Sequence, residues 1–262
     1  MELWRRREAR IPLLIDVPHA GTYVPPAIAA RLTPEALALP DTDWHVDKLF
    51  DFGLEMGAGL LAATHSRYVV DLNRDPSGQA LYPGADNTEL APTTNFEREP
   101  IYKPGLAPNA DETGQRVQDF WKPYHARLQA DIDAVVAQFG YCILIDGHSI
   151  PRQVPRFFDG NLPDLNLGTD KGKSATPSLI DAAWRVLDGQ ARFSRVIDGR
   201  FTGGYITRHY GQPARRVHAL QIEIVQGTYM TETEPLNFQT GQAKAISDIL
   251  KQTAEALMKV RP

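Results

Sequence analysis

In the stretch Val135-Val136-Ala137-Gln138-Phe139-Gly140-Tyr141-Cys142-Ile143-Leu144-Ile145-Asp146-Gly147-His148-Ser149, a helical pattern ends at a glycine and a buried strand begins at once. Upstream, from Asp111, the apolar positions Val117, Phe120, Trp121, Tyr124, Leu128, Ile132, Val135 and Phe139 recur at the spacing of one helix face. Pro123 is expected to kink that helix or mark a break in it, and Gly140 stands where a left-handed glycine closes one. Tyr141 to Ile145 is apolar throughout rather than alternating, as a strand covered on both faces must be. A helix that runs directly into such a strand follows the βαβ rhythm of a parallel sheet.

Working outward, Ile11 to Val17 and Val217 to Val225 read as two further buried strands, and Leu60 to Val70 as a third strand region. A helix is expected from about Asp43, with Trp44, Leu49, Phe52 and Met56 on one face. Thr176-Pro177 opens another, to about Leu187, and Phe238 to Val260 forms an amphipathic closing helix. Pro76 to Pro108 contains six prolines and cannot form a long regular element. That loop and the one from Pro151 to Lys173 are expected to wall or cover a site. The fold expected is α/β, in one domain over residues 1–262.

Hydrophobic residues make up 42% and charged residues 23% of the chain, the mixture of a globular protein. The formal charge of −4 gives no reason to expect nucleic acid or an anionic membrane as partner. A single cysteine, Cys142, excludes an internal disulfide and fits a reducing compartment. Arg5-Arg6-Arg7 is followed by no signal-peptide core, and Ile11 to Val17 is too short to span a bilayer. A cytoplasmic location is the expectation, with the three arginines forming a solvated end.

Four apolar stretches run into polar clusters: Pro18-His19-Ala20-Gly21, Asp71-Leu72-Asn73-Arg74, Asp146-Gly147-His148-Ser149, and Glu223 between two isoleucines. Ligands of parallel sheets sit beyond the carboxyl ends of the strands, so the four clusters suggest one site. A catalytic metal takes about three ligands from His, Asp and Glu. His19 and His148 are the candidate imidazoles. Asp41, Asp43, Asp47 and His45 offer the third ligand, and Asp43 and Asp47 are spaced to share a helix face. Spacing alone leaves that choice open. Glu223 is a carboxylate in a core strand, where desolvation raises its pKa toward the range useful to a general base. Asn73 with Arg74 forms a grip for a carboxylate, and Arg208, after Gly203-Gly204, is a candidate for a second. His65, His125 and His218 read as structural.

These segments resemble the N-formylglutamate amidohydrolase (N-formylglutamate deformylase) family. The resemblance rests on Pro18 to Pro25, Asp41 to Asp47, His65 to Arg74, Asp146 to Ser149, Val154 to Gly160, Leu165 to Gly168, Gly203 to Gly211 and Gln221 to Glu223, in family order across nearly the whole chain. It implies hydrolysis of N-formyl-L-glutamate, a small-molecule substrate, to formate and L-glutamate in histidine degradation. It also implies a fold similar to the zinc carboxypeptidases, a mixed, largely parallel sheet with helices on both faces. Carried over, the roles fall on His19, Asp47 and His148 for one divalent metal, most simply Zn2+. Asn73 and Arg74 then take a substrate carboxylate and Glu223 the water, while Arg208 stays the candidate read from the residues alone for a second carboxylate. Carboxypeptidases have an acid three residues after the first histidine. Thr22 stands there in this chain, so the acid must come from the later Asp-rich segment, with Asp43 the rival to Asp47. Deacylation of another acidic amino acid, and dicarboxylate binding without turnover, remain the alternatives.

Overall fold

The computed structural model describes residues 1–262. Seven strands form one sheet: β1 (Trp4–Arg7), β2 (Leu13–Val17), β3 (Gly59–Ala63), β4 (Cys142–Ile150), β5 (Leu165–Gly168), β6 (Arg195–Ile197) and β7 (Val217–Val225). Their order is β1-β3-β2-β4-β7-β5-β6. The central pairs β3/β2, β2/β4 and β4/β7 are parallel, as is β5/β6, while β1 and β7 meet β3 and β5 antiparallel. The helices are α1 (Pro26–Ala29), α2 (Val46–Leu49), α3 (Phe52–Met56), α4 (Ala110–Arg116), α5 (Lys122–Phe139), α6 (Pro177–Asp188), α7 (Tyr205–Tyr210) and α8 (Thr240–Met258).

Alternation along the strands sorts side chains into two layers. Leu13, Ile15, Ile143, Ile145, Ile222 and Ile224 pack with α6 and α8. Leu14, Cys142, Leu144, Val217 and Ala219 pack with α5 and α7. By the same parity Asp16, Asp146, His148, Gln221 and Glu223 lie on the α5/α7 side, toward the carboxyl ends of their strands. Gly147 points the other way, where an added Cβ would stand 2.5 Å from the Phe50 ring. Only glycine fits between two polar residues that must share the opposite face.

Several elements differ from expectation. β4 does not stop at Ile145 but continues to Ile150, because β7 continues beside it and pairs residue for residue to Val225. His148 therefore lies inside a strand, directly opposite Glu223. The third strand is only Gly59–Ala63. Beyond it the apolar Tyr68-Val69-Val70 is buried without strand pairing, and Arg116 Nη1 satisfies the carbonyls of Tyr68 and Val69 instead. The helix expected from Asp43 starts at Val46, because His45 takes a left-handed φ of 60°. Asp43 and Asp47 thus share no helix face. Ahead of Pro123, residues Val117–Trp121 form a widened π turn, which accommodates the missing proline N–H. The Pro151 to Lys173 loop contributes β5, and Arg5-Arg6-Arg7 belongs to edge strand β1, where charge discourages further pairing.

Candidate metal centre and its cavity

β2 ends at Val17 while β4 and β7 run on, leaving an open shelf at the carboxyl end of the sheet. His19 stands two residues past β2, and its carbonyl accepts the N–H of Asp43 at 3.1 Å. That bond carries the Asp-rich segment across the shelf to His148. His19, Asp43 and His148 are all buried, and each offers a ligand atom within 4.8 Å of the others. Asp43 Oδ2 lies 3.0 Å from His148 Nδ1 and 3.9 Å from His19 Nδ1.

The outward nitrogens of both rings meet carboxylates. His19 Nε2 lies 2.8 Å from Asp71 Oδ1, and Arg67 Nη2 donates to the other Asp71 oxygen at 2.8 Å. His148 Nε2 lies 2.8 Å from Asp146 Oδ1, off the line of a good hydrogen bond, and Thr207 Oγ1 donates to Asp146 Oδ2. For His19, the carboxylate acceptor on Nε2 fixes the tautomer that leaves Nδ1 free to ligate. Burial and the nearby Arg67 charge hold the His19 pKa below its usual value, against the pull of Asp71 and Asp43. Burial pushes Asp71 upward, but the charges of His19, Arg67 and Arg74 outweigh it and hold the carboxyl well below its usual range.

The donor set fits a divalent cation. Asp43 Oδ1 is buried without a hydrogen-bond partner, with Arg67 Nη1 3.6 Å away. Burial opposes the Asp43 charge, but the hydrogen bond from His148 and the charges of His19, His148 and Arg67 keep it ionised. A proton between Asp43 and His148 thus occupies the position a metal would take, and two imidazoles with one carboxylate is a familiar zinc set. Asp47 is not part of this group. It accepts a hydrogen bond from Arg5 at 2.6 Å near the surface, because the left-handed turn at His45 separates it from Asp43. Asp41 is occupied by the Phe96 N–H, and His45 Nε2 by the Leu236 carbonyl.

Glu223 faces the same shelf, in register with His148 across the β4/β7 pair. Gln221 Nε2 donates to Glu223 Oε2 at 3.2 Å, and Gln221 Oε1 is pinned by the Gly204 N–H at 2.7 Å. Burial pushes the Glu223 carboxyl up to about 7, with the Asp43 charge adding to the effect and His148 opposing it. A carboxylate that titrates near neutrality can both accept and return a proton.

The cluster lies in a cleft of about 560 Å³, open to solvent and lined also by Arg67, Asn73, Arg74, Tyr82 and Arg200. Arg74 donates to Thr88 and to the Asn73 carbonyl, leaving N–H groups on both terminal nitrogens without protein partners. Asn73 also lines the cleft, but its amide is engaged at both ends. Nδ2 reaches His148 Nε2 at 2.8 Å, and Oδ1 accepts the Ile206 N–H. The expected two-residue grip on a carboxylate therefore reduces to Arg74. Arg208 does not line the cleft: it donates to the Leu81 carbonyl and Thr202 Oγ1. Asp71, Asp146, Arg67 and Gln221 were missed as site residues. The signal for Asp146 and Gln221 was their i, i+2 spacing to His148 and Glu223, which places them on the same strand face.

Residues 11–230 match the sequence model described as N-formylglutamate amidohydrolase. Two curated relatives, each called N-formylglutamate deformylase, come from Pseudomonas putida and Pseudomonas aeruginosa. Both are 46% identical, over 96% of this chain and 94% of their own. A crystal structure of N-formylglutamate amidohydrolase from Ralstonia eutropha JMP134 aligns with a TM-score of 0.81 at 28% identity, covering 100% of this chain and 99% of that one. A protein from Agrobacterium tumefaciens aligns with a TM-score of 0.75 at 19% identity, over 99% and 96% of the two chains, and shares the fold.

Proposed function

The chain belongs to the N-formylglutamate amidohydrolase family, and on that premise we propose that it hydrolyses N-formyl-L-glutamate to formate and L-glutamate with a metal held by His19, Asp43 and His148. The observation that carries the reading is the register pair His148 and Glu223, which sets a neutral-range carboxylate beside a three-ligand cluster. The metal, zinc on the chemistry of this donor set, would supply Lewis acidity toward the formyl carbonyl and make a water more acidic.

The chain's own residues do the rest. Glu223, oriented by Gln221, accepts a proton from the water that adds to the formyl carbon. It returns that proton to the amide nitrogen as the C–N bond breaks, so that glutamate leaves as an amine. Asp71 and Asp146 hold the two imidazoles in place, and Asn73 steadies the His148 ring. Arg74 takes a substrate carboxylate through its free terminal N–H groups. Tyr82 and Phe96 from the proline-rich segment, and Phe157 from the later loop, wall the cleft and limit bulk water.

We infer that this step belongs to histidine degradation, as the family resemblance implies. A lone, buried Cys142 suits a reducing cytoplasm, and no helix is long and apolar enough to cross a membrane. The test is elemental analysis of the purified protein, paired with formate release from N-formyl-L-glutamate before and after chelation. Metal near one equivalent, with activity that chelation removes and zinc restores, is expected. Full activity in metal-free protein would overturn the reading.

A further inference from the structure

We propose that Arg200 is the second carboxylate anchor of this cleft and takes the side-chain carboxylate of the substrate. The inference rests on the reaction proposed above and names a specificity residue for it. The Arg200 guanidinium lies over three aromatic rings, 4.7 Å from the centre of Tyr82 and 5.6 Å from those of Phe157 and Phe201. Its Nε donates to the Phe157 carbonyl at 2.7 Å, and that is the single hydrogen bond it makes. No carboxylate pairs with it. Aromatic faces hold a guanidinium without consuming its in-plane donors, so both terminal nitrogens remain available inside the cleft that Arg200 lines.

The other cleft cations already have protein partners, although Arg74 keeps one N–H to spare on each terminal nitrogen. Arg67 is bonded to Asp71 and to the Asp41 carbonyl, and Arg74 to Thr88 and Asn73. Asp86, an acid at the same cleft, is already matched by Arg156 and Arg98. Positive charge therefore exceeds what the protein neutralises at this end. Burial, together with the Arg67 and Arg200 charges, holds the Arg74 pKa below its usual value. A dianionic ligand relieves that repulsion. Arg208, the candidate in the sequence, also stacks on Tyr82, at 5.0 Å, and so buttresses the ring that carries Arg200.

The two arginines divide the substrate by position. Arg74 Nη1 stands 3.9 Å from Asp71, which touches His19, so Arg74 suits the α-carboxylate next to the scissile amide. Arg200 touches neither the metal ligands nor their supporting acids, and suits the carboxylate farther along the side chain.

The experiment compares N-formyl-L-glutamate with N-formyl-L-glutamine, which lacks only the side-chain charge. It uses the metal-replete wild type, Arg200→Met and Arg200→Lys. Arg200→Met should lower kcat/KM for the glutamate substrate about 100-fold, chiefly through KM, while changing the glutamine substrate less than about 3-fold. Arg200→Lys should recover part of the preference. Equal losses on both substrates, as from a disturbed aromatic frame, would overturn the proposal, as would an unchanged preference. Should the wild type release formate from neither substrate, the proposed reaction fails, and calorimetry with glutarate then decides on Arg200 alone. Binding that weakens at least about 10-fold in Arg200→Met supports the anchor, and equal binding overturns it.

Discussion

One oxygen of Asp43 meets two consecutive residues of β4: Nδ1 of His148 at 3.0 Å and the Ser149 N–H at 2.9 Å. The bond to the backbone fixes the carboxylate before any ligand arrives, with the same oxygen 3.9 Å from His19 Nδ1 and the other oxygen 3.6 Å from Arg67 Nη1. Asp47 has no such constraint and pairs with Arg5 at the rim. Asp43→Asn should therefore abolish stoichiometric metal binding, whereas Asp47→Asn should retain it. Metal content after gel filtration, measured for both variants, decides between the two acids. Metal kept by Asp43→Asn and lost by Asp47→Asn would restore the original assignment.

Asp71 acts at one remove, through the far nitrogen of His19 and under the charge of Arg67. Asn at this position keeps the shape but loses the anionic acceptor. Partners of this kind contribute roughly 10–100-fold to metal affinity. Competition against a chromophoric chelator should show Asp71→Asn weakened within that range, with the secondary structure unchanged. Undiminished affinity would mean that Asp71 serves only Arg67 and the turn.

Much of this was legible in the sequence where burial writes itself into composition. β2, β4 and β7 are covered on both faces, so they appear as apolar runs, and His19, His148 and Glu223 could be placed by their relation to those runs. The short strands β5 and β6 and the charged edge β1 leave no such trace. Asp43 could not be separated from Asp47, because the choice turns on one backbone angle at His45, and a left-handed residue other than glycine is too uncommon to expect from the sequence. Arg200 was invisible for a different cause. Its importance comes from which donors its neighbours leave free, and that depends on rings contributed by three separate loops.

Glu223 must be ionised to accept a proton, so activity should fall as pH drops toward and below its pKa. Burial sets that pKa at about 7 without a bound cation, and a cation beside it moves the limb to lower pH. The expected profile of kcat/KM against pH loses activity with a slope of one on the acid side. Glu223→Gln should retain metal, lose turnover by about 10²–10⁴-fold, and lose the acid limb with it. A variant that keeps the limb would assign it to another group.

Behind the Asp71–Arg74 turn, His125 is buried with Nδ1 against the Tyr210 hydroxyl and Nε2 against the Leu72 carbonyl. Burial is the main cause of its pKa falling to about 3. The unfolded chain takes up a proton near pH 6.5 that the folded chain refuses until about 3. The stability His125 contributes is therefore present above pH 6.5 and lost progressively as pH falls through that window. Between pH 6.5 and 5 the loss amounts to about 2 kcal/mol. Urea unfolding of wild type and His125→Gln at pH 7 and pH 5, with chelator present throughout, isolates this residue from metal release. The wild type should lose about 2 kcal/mol more than the variant over that interval, although the variant starts less stable because a packed aromatic stack with Trp121 is gone. Parallel losses in the two proteins would mean that His125 already carries its proton in the fold, and that the Leu72 carbonyl holds an imidazolium rather than a neutral ring.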